Sequence, residues 1–291
     1  MKRTIRLHAT GGLGNQLFIW NAGHILAIRY EARVRIFFDP SSHKNTDRPI
    51  LLNELSRNCS HAIKVEEFAL GSILFRIIDK ISRYSPKMGR KIKLLLLIFE
   101  EKDSIQDIKY PSRAPYLVRG NFQRWKDVES AFDFWAEEVL ILINRYLAAP
   151  PISKVIKEKF DVMHIRRGDY KLYADYMGVL SFDFYREFYN ASQRILVCTD
   201  DVSETARIQS EFPKCEVLNP TDYSPWETLS IMSRASNIIG ANSTFSWWGA
   251  FFGSYFNKSK ISLPHPWHKS SPDHDRLFRN PTAVYMNSIF E

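Results

Sequence analysis

Cysteine is scarce: only Cys59, Cys198 and Cys215 in a chain of 291 residues. Spaced so widely, they supply neither a disulfide framework nor a thiolate zinc site, and they fit a reducing compartment. No apolar run approaches the roughly 20 residues that cross a bilayer; the longest runs from Leu94 to Phe99. No apolar stretch of signal-peptide length precedes Gly11, so the expected location is cytoplasmic. Internal repeats and low-complexity segments are lacking too, which excludes solenoids and repeat arrays.

What is present reads as globular. Apolar residues make up 45% and charged residues 25%, and the length suits one large domain or two of ordinary size. Aromatics at 14% fit a packed core before they fit a sugar site. The net charge of +8 calls for an acidic partner, but most of the excess is local. Arg76, Lys80, Arg83, Lys87, Arg90, Lys91 and Lys93 face only Asp79 between Gly71 and Lys93. The apolar, basic stretch Ser72–Phe99 is expected to form two helices broken at Ser85-Pro86. It reads either as ordinary helices with solvated lysines or as a peripheral contact with an anionic membrane on its inner face. It lacks the aromatic interleaving of a nucleic-acid surface, so nucleic acid is not an expected partner.

Along the chain, Ile5 and Leu7 open a strand, Gly11-Gly12-Leu13-Gly14 turns sharply, and Leu17, Trp20, His24, Ala27 and Ile28 mark one helix face. Val34–Phe38 reads as a second, buried strand, which makes the unit the start of a parallel sheet. Residues 41–114 give little pattern. Tyr116–Val118 reads as a strand, and Asp127–Leu147 as one long helix. The break at Ala148-Ala149-Pro150-Pro151 places a domain boundary between 1–150 and 151–291. Beyond it, strand-like runs at Phe160–Ile165, Ile195–Cys198, Cys215–Leu218, Asn237–Gly240 and Lys260–Leu263 alternate with helical patterns. The fold class is therefore α/β, with parallel strands and helices on both faces.

Four segments carry possible chemistry, three of them where a strand ends, which is where parallel sheets bind ligands. His164-Ile165-Arg166-Arg167-Gly168-Asp169-Tyr170 sets two guanidinium forks, a glycine and a carboxylate at one strand end. Arginine forks match phosphate oxygens and stabilise charge that grows as a glycosyl–phosphate bond breaks, with no metal needed. A surface turn of Arg–Asp pairs fits the same residues. Asn242-Ser243-Thr244-Phe245-Ser246-Trp247-Trp248 puts hydroxyls at a helix start, an anion site, with Trp247 lining a pocket and Trp248 packing on the sheet. Gly11-Gly12-Leu13-Gly14-Asn15-Gln16 is a glycine turn followed by two amides that can reach hydroxyls or phosphates. It also suggests a nicotinamide-dependent oxidoreductase, but Leu17 stands where that loop needs a small residue. Asp200 and Asp201 either bind a divalent metal or cap the helix near Val202, and capping suits the position better.

In order and together, these segments resemble the family 11 glycosyltransferases, the bacterial α-1,2-fucosyltransferases, from Gly11 to the Pro264–Trp267 region. HIRRGDY and NSTFSWWGA carry most of the likeness. The resemblance implies a GT-B-like fold of two Rossmann-like domains facing across a cleft, the second binding GDP-β-L-fucose, and inverting transfer to the 2-hydroxyl of a terminal galactose in an O-antigen or lipopolysaccharide glycan. It implies no cofactor and no metal. Arg166 and Arg167 would contact the donor phosphates, with His164 and Asp169 shaping that pocket and Asp169 the candidate base. Ser243 and Thr244 would lie at the nucleotide, with Asp200, Asp201, Asn242 and Trp247 at the substrate, and Asn15 and Gln16 facing it from the other domain. Thr199 stands where Ser is common, and Trp226-Glu227-Thr228 lacks the Asp expected for guanine.

Overall fold

A computed structural model describes residues 4–38, 49–58, 63–67, 77, 80, 81, 84, 85, 87, 88, 91, 92, 98–101, 105, 116–189, 194–271 and 279–291. The chain divides into two compact units, Met1–Val139 and Leu140–Glu291. The division falls inside the helix Ala136–Ala148 and ahead of Pro150-Pro151, where composition places the boundary.

The first unit holds a five-stranded sheet in the order β3-β2-β1-β5-β4, with β1 Thr4–Ala9, β2 Arg33–Phe38, β3 Ile63–Glu67, β4 Ile98–Glu101 and β5 Tyr116–Gly120. Every pairing is parallel. The helix Leu13–Tyr30 is buried on nearly every side from Leu13 to Leu26, as expected of a helix whose apolar residues run all round. Its polar residues are therefore held internally. Asn21 donates to the Asp127 carbonyl (2.8 Å) and accepts from the Trp135 indole (2.9 Å). His24 stands between the rings of Trp20 and Trp135. Burial pushes His24 down to about 4, so it is neutral at pH 7.

The expected helix over 127–147 is two helices, Trp125–Ala131 and Ala136–Ala148, joined by a 3-10 turn at Phe132–Phe134. The break has a cause. Phe132 and Trp135 are both buried, and the Asn21 side chain holds the backbone before the turn and the indole after it.

The second unit holds a six-stranded, all-parallel sheet in the order β11-β10-β9-β6-β7-β8. Its strands are β6 Asp161–Ile165, β7 Ile195–Thr199, β8 Glu216–Leu218, β9 Asn237–Ile239, β10 Lys260–His265 and β11 Ala283–Asn287. Strand alternation sorts the two faces. Met163, Ile165, Ile195 and Val197 pack with Phe182, Tyr185, Ile208 and Phe212 on one side. His164, out of phase, faces the helix Thr244–Asn257 on the other. That helix lies close to the sheet because Gly253 has no side chain: a Cβ there would stand 2.4 Å from Ile238 Cδ1. Cys198 and Cys215 are buried thiols, pushed up by that burial to about 12 and about 11.

In the basic stretch, Ile77, Lys80, Ile81 and Tyr84 are helical, Ser85 is not, and Lys87, Met88, Lys91 and Ile92 are helical again. The expected break stands among these residues; the rest of Ser72–Phe99, up to β4, lies outside the described residues. No helix among the described residues is long and apolar enough to cross a membrane.

Candidate functional site

Both sheets change winding direction beside their central strand. In the second unit the chain passes from β6 outward through β7 and β8, then returns to β9 on the other side of β6. The crevice beyond the carboxyl ends of β6 and β9 is the switch point where open parallel sheets bind ligands. The segments starting at Arg166 and at Gly240 leave the sheet on its two sides.

Arg166 keeps its side chain at this crevice, 15% exposed. Its guanidinium is gripped by Asp169 and by Asp200, the latter at 2.8 Å, and lies 4.9 Å from the centre of the Tyr170 ring. The Tyr170 hydroxyl donates to the Asn242 carbonyl (2.9 Å), which joins the two segments. Gly168 leaves room for the same cluster, since a Cβ there would fall 2.1 Å from Asp200 Oδ2. Asp200 Oδ1 also accepts from the Arg167 backbone N–H at 2.8 Å. One carboxylate thus fixes the loop and its arginine together.

Arg167 does not join Arg166. Its side chain is 1% exposed, paired with Glu291 at 2.7 Å and stacked 4.4 Å over the Phe182 ring. The expectation that the two guanidiniums stand side by side is corrected: Arg166 alone keeps its side chain at the crevice. Having the parity of Met163 and Ile165, Arg167 turns to the apolar face, where Phe182 and Glu291 receive its charge.

His164 is neutral and structural. Burial pushes it down to about 3, helped by the charge of Arg166. Its Nδ1 lies 2.6 Å from the Ser246 hydroxyl, which accepts from the Ala241 N–H at 2.9 Å. The Ser246 hydroxyl thus bonds both the His164 ring and the Ala241 N–H. Ser246 ties β6 to the start of the helix Thr244–Asn257, a residue that sequence reasoning passed over between the threonine and the tryptophans.

Ser243 is the N-cap of that helix, its hydroxyl accepting from the Phe245 N–H (3.3 Å), and Thr244 is the first helical residue. The 14-residue helix thus directs its N-terminal N–H groups and positive dipole end at the switch point. Asn242 and Trp247 turn away from it. The Asn242 amide is 1% exposed and donates to the carbonyls of Met177, Gly178 and Trp267. Trp247, 1% exposed, stacks on Phe251, so both tryptophans pack and neither lines a pocket. Asp201 caps the 3-10 turn Val202–Glu204 and pairs with Lys171 at 2.9 Å. Against the opposing effect of burial, bonds from Ser203 and Lys171 hold it below the ordinary carboxylate value. Among the described residues no group of three or more His, Cys, Asp or Glu is placed to hold a metal ion.

The first unit has its own switch point, between β1 and β5. Gly11 adopts a left-handed φ of 77°, and a Cβ on it would stand 2.3 Å from the Asn15 amide nitrogen. Asn15 Oδ1 accepts from Gln123 Nε2 at 3.0 Å, so the loop after β1 meets the loop after β5. Gln123 closes the stretch Gly120-Asn121-Phe122-Gln123, which begins at the end of β5 and resembles a family segment. Gln16 is corrected to a structural role. It is fully buried, donates to the Gly11 and Pro49 carbonyls and accepts from the Leu51 N–H, leaving no donor for a ligand.

Comparison with known proteins bears on the family and the fold. The glycosyl transferase family 11 profile matches residues 100–257. The O-antigen biosynthesis glycosyltransferase WbnK of Escherichia coli is 27% identical over 288 residues, covering 89% of this chain and 93% of the relative. An alpha-1,2-colitosyltransferase of Escherichia coli is 25% identical over 274 residues, covering 88% and 90%. Among solved structures, NodZ alpha-1,6-fucosyltransferase soaked with GDP-fucose superposes with a TM-score of 0.50 at 14% identity, over 87% of this chain and 93% of that one. Fucosyltransferase NodZ from Bradyrhizobium gives 0.50 at 13%, over 86% and 93%. At such identity the likeness shows the fold alone: two α/β units with parallel sheets, GT-B-like.

Proposed function

The chain belongs to glycosyl transferase family 11, and from that premise we propose that it transfers L-fucose from GDP-β-L-fucose to the 2-hydroxyl of a terminal galactose. The acceptor is a glycan of the O-antigen or lipopolysaccharide kind, as the name of the WbnK relative suggests. One observation carries the reading. A single arginine, Arg166, stands at the sheet's switch point beside the N-terminus of the helix Thr244–Asn257. A fixed cation and a helix dipole suit a diphosphate leaving group, and stabilising the charge that develops there lowers the barrier without a metal.

In this mechanism the acceptor hydroxyl attacks the anomeric carbon from the face opposite GDP as the bond to the diphosphate breaks, inverting it through an oxocarbenium-like state; GDP leaves and the hydroxyl proton passes to solvent. Asp200 and Asp169 hold the guanidinium, and phosphate oxygens take over donors that those carboxylates share. Asp169 then acts as the residue that orients Arg166, which its contact with that side chain supports over a role as base. Asp169→Asn separates the two: weakened GDP binding marks an orienting residue, whereas intact binding with collapsed turnover marks a base.

The colitosyltransferase relative favours a second donor, GDP-colitose, at the same site. The nicotinamide oxidoreductase suggested by the glycine turn gains nothing from the family match, and Gln16 spends its amide inside the loop. The test is a transfer assay with GDP-fucose and GDP-colitose over galactose-terminated acceptors, with and without EDTA, beside thermal shifts with GDP, UDP and NAD. Transfer from GDP-fucose that survives EDTA, with stabilisation by GDP alone, is the expected result. Transfer abolished by chelation, or stabilisation by NAD, overturns it.

A further inference from the structure

The described residues between Ile77 and Ile92 carry charge and apolar surface to which the proposed sugar transfer assigns no role. Ile77, Ile81, Tyr84 and Met88 recur at helical spacing, and with Lys80 and Ser85 they line one hollow on both sides of the break. A helix packed on its own protein would bury such a row. Here Ile77 is 50%, Met88 56% and Tyr84 83% exposed. Lys80, Lys87 and Lys91 are exposed beside them, within a stretch holding seven basic residues and one acidic residue between Gly71 and Lys93.

We infer that this face docks on the surface of an anionic lipid bilayer. The aliphatic side chains enter the headgroup–acyl boundary, Tyr84 sits at headgroup level, and the lysines meet lipid phosphates. Charge complementarity and apolar burial act together, and lasting attachment to a bilayer requires two such contributions. A nucleic acid would take the lysines but leave the aliphatic row in water, since bases stack on aromatic rings and not on isoleucine. The inference uses none of the residues assigned to sugar transfer and stands or falls without them.

The experiment is co-sedimentation of the full chain with phosphatidylcholine vesicles, with and without a one-third share of phosphatidylglycerol, at low and high salt. Binding to the anionic vesicles at low salt, released at high salt, is expected. Replacing Lys80, Lys87 and Lys91 by Gln should weaken it about a hundredfold, at about fivefold per lysine. Tyr84→Asp with Met88→Asp should abolish it. These side chains are exposed, and unchanged melting curves confirm that the variants fold. Equal binding to neutral and anionic vesicles, or indifference to both sets of variants, overturns the inference. So does a dimer in light scattering that Tyr84→Asp dissolves, since a second copy would then be the occupant.

Discussion

Two adjacent arginines with the same side chain do different work because a strand presents alternate residues to opposite faces. Arg166→Lys keeps the charge but loses the fork, so transfer should fall roughly 100-fold or more while the melting temperature holds. Arg167→Ala should do the reverse in kind: it strips the buried partner from Glu291 and the stack from Phe182. A stability loss of about 1–2 kcal/mol by urea titration is expected there, since Glu291 is 41% exposed and meets water once alone. Equal effects of the two substitutions on stability would show that the parity assignment is wrong. Gly168→Ala tests the neighbouring carboxylate. Its Cβ needs the place of Asp200 Oδ2, a side-chain tip that can swing aside. The variant should therefore fold normally but bind GDP less tightly, as Arg166 loses one of its two anchors.

At the scale of elements, Ser246 joins β6 to the helix whose N-terminus completes the site. Ser246→Ala leaves the Ala241 N–H and His164 Nδ1 short of a partner, at a cost of about 1–3 kcal/mol for each buried group. Chemical denaturation measures it, and Ser246→Thr, which restores the hydroxyl, should recover part of the loss. Much of this architecture was legible beforehand. β6, β7 and β9 are short apolar runs bounded by turn residues, and burial on both faces of a parallel sheet produces that pattern. β3, β4 and β11 were not legible: Ile63–Glu67 reads as a charged loop, and Ile98 and Phe99, the start of β4, fall in the stretch expected to be helical. The break at Phe132–Phe134 was equally hidden, for it depends on Asn21, more than a hundred residues earlier in the chain. Within the site, residue types announced chemistry but not direction. Gln16, Asn242 and Trp247 are polar or aromatic groups in the right segments, yet each is consumed by internal contacts that only the assembled fold reveals.

At the scale of the whole molecule, each unit carries a buried neutral histidine, His24 at about 4 in the first and His164 at about 3 in the second. Unfolded histidine takes up a proton near pH 6.5, so below that point the unfolded chain binds more protons than the native one. Stability is therefore complete above pH 6.5 and falls as the medium becomes acidic, by about 1.4 kcal/mol per pH unit for each histidine. Unfolding free energies from urea titration at pH 7 and pH 5 should differ by about 2 kcal/mol for each histidine, and a flat profile would remove these two residues as the cause. The buried thiols have a consequence at the same scale. Maleimide attacks a thiolate that it can reach, and neither Cys198 nor Cys215 offers one in the native protein. With Cys59→Ser in place, Tyr84→Cys should take a single dye, as mass spectrometry would show, and that label would report on whatever the exposed helical face touches.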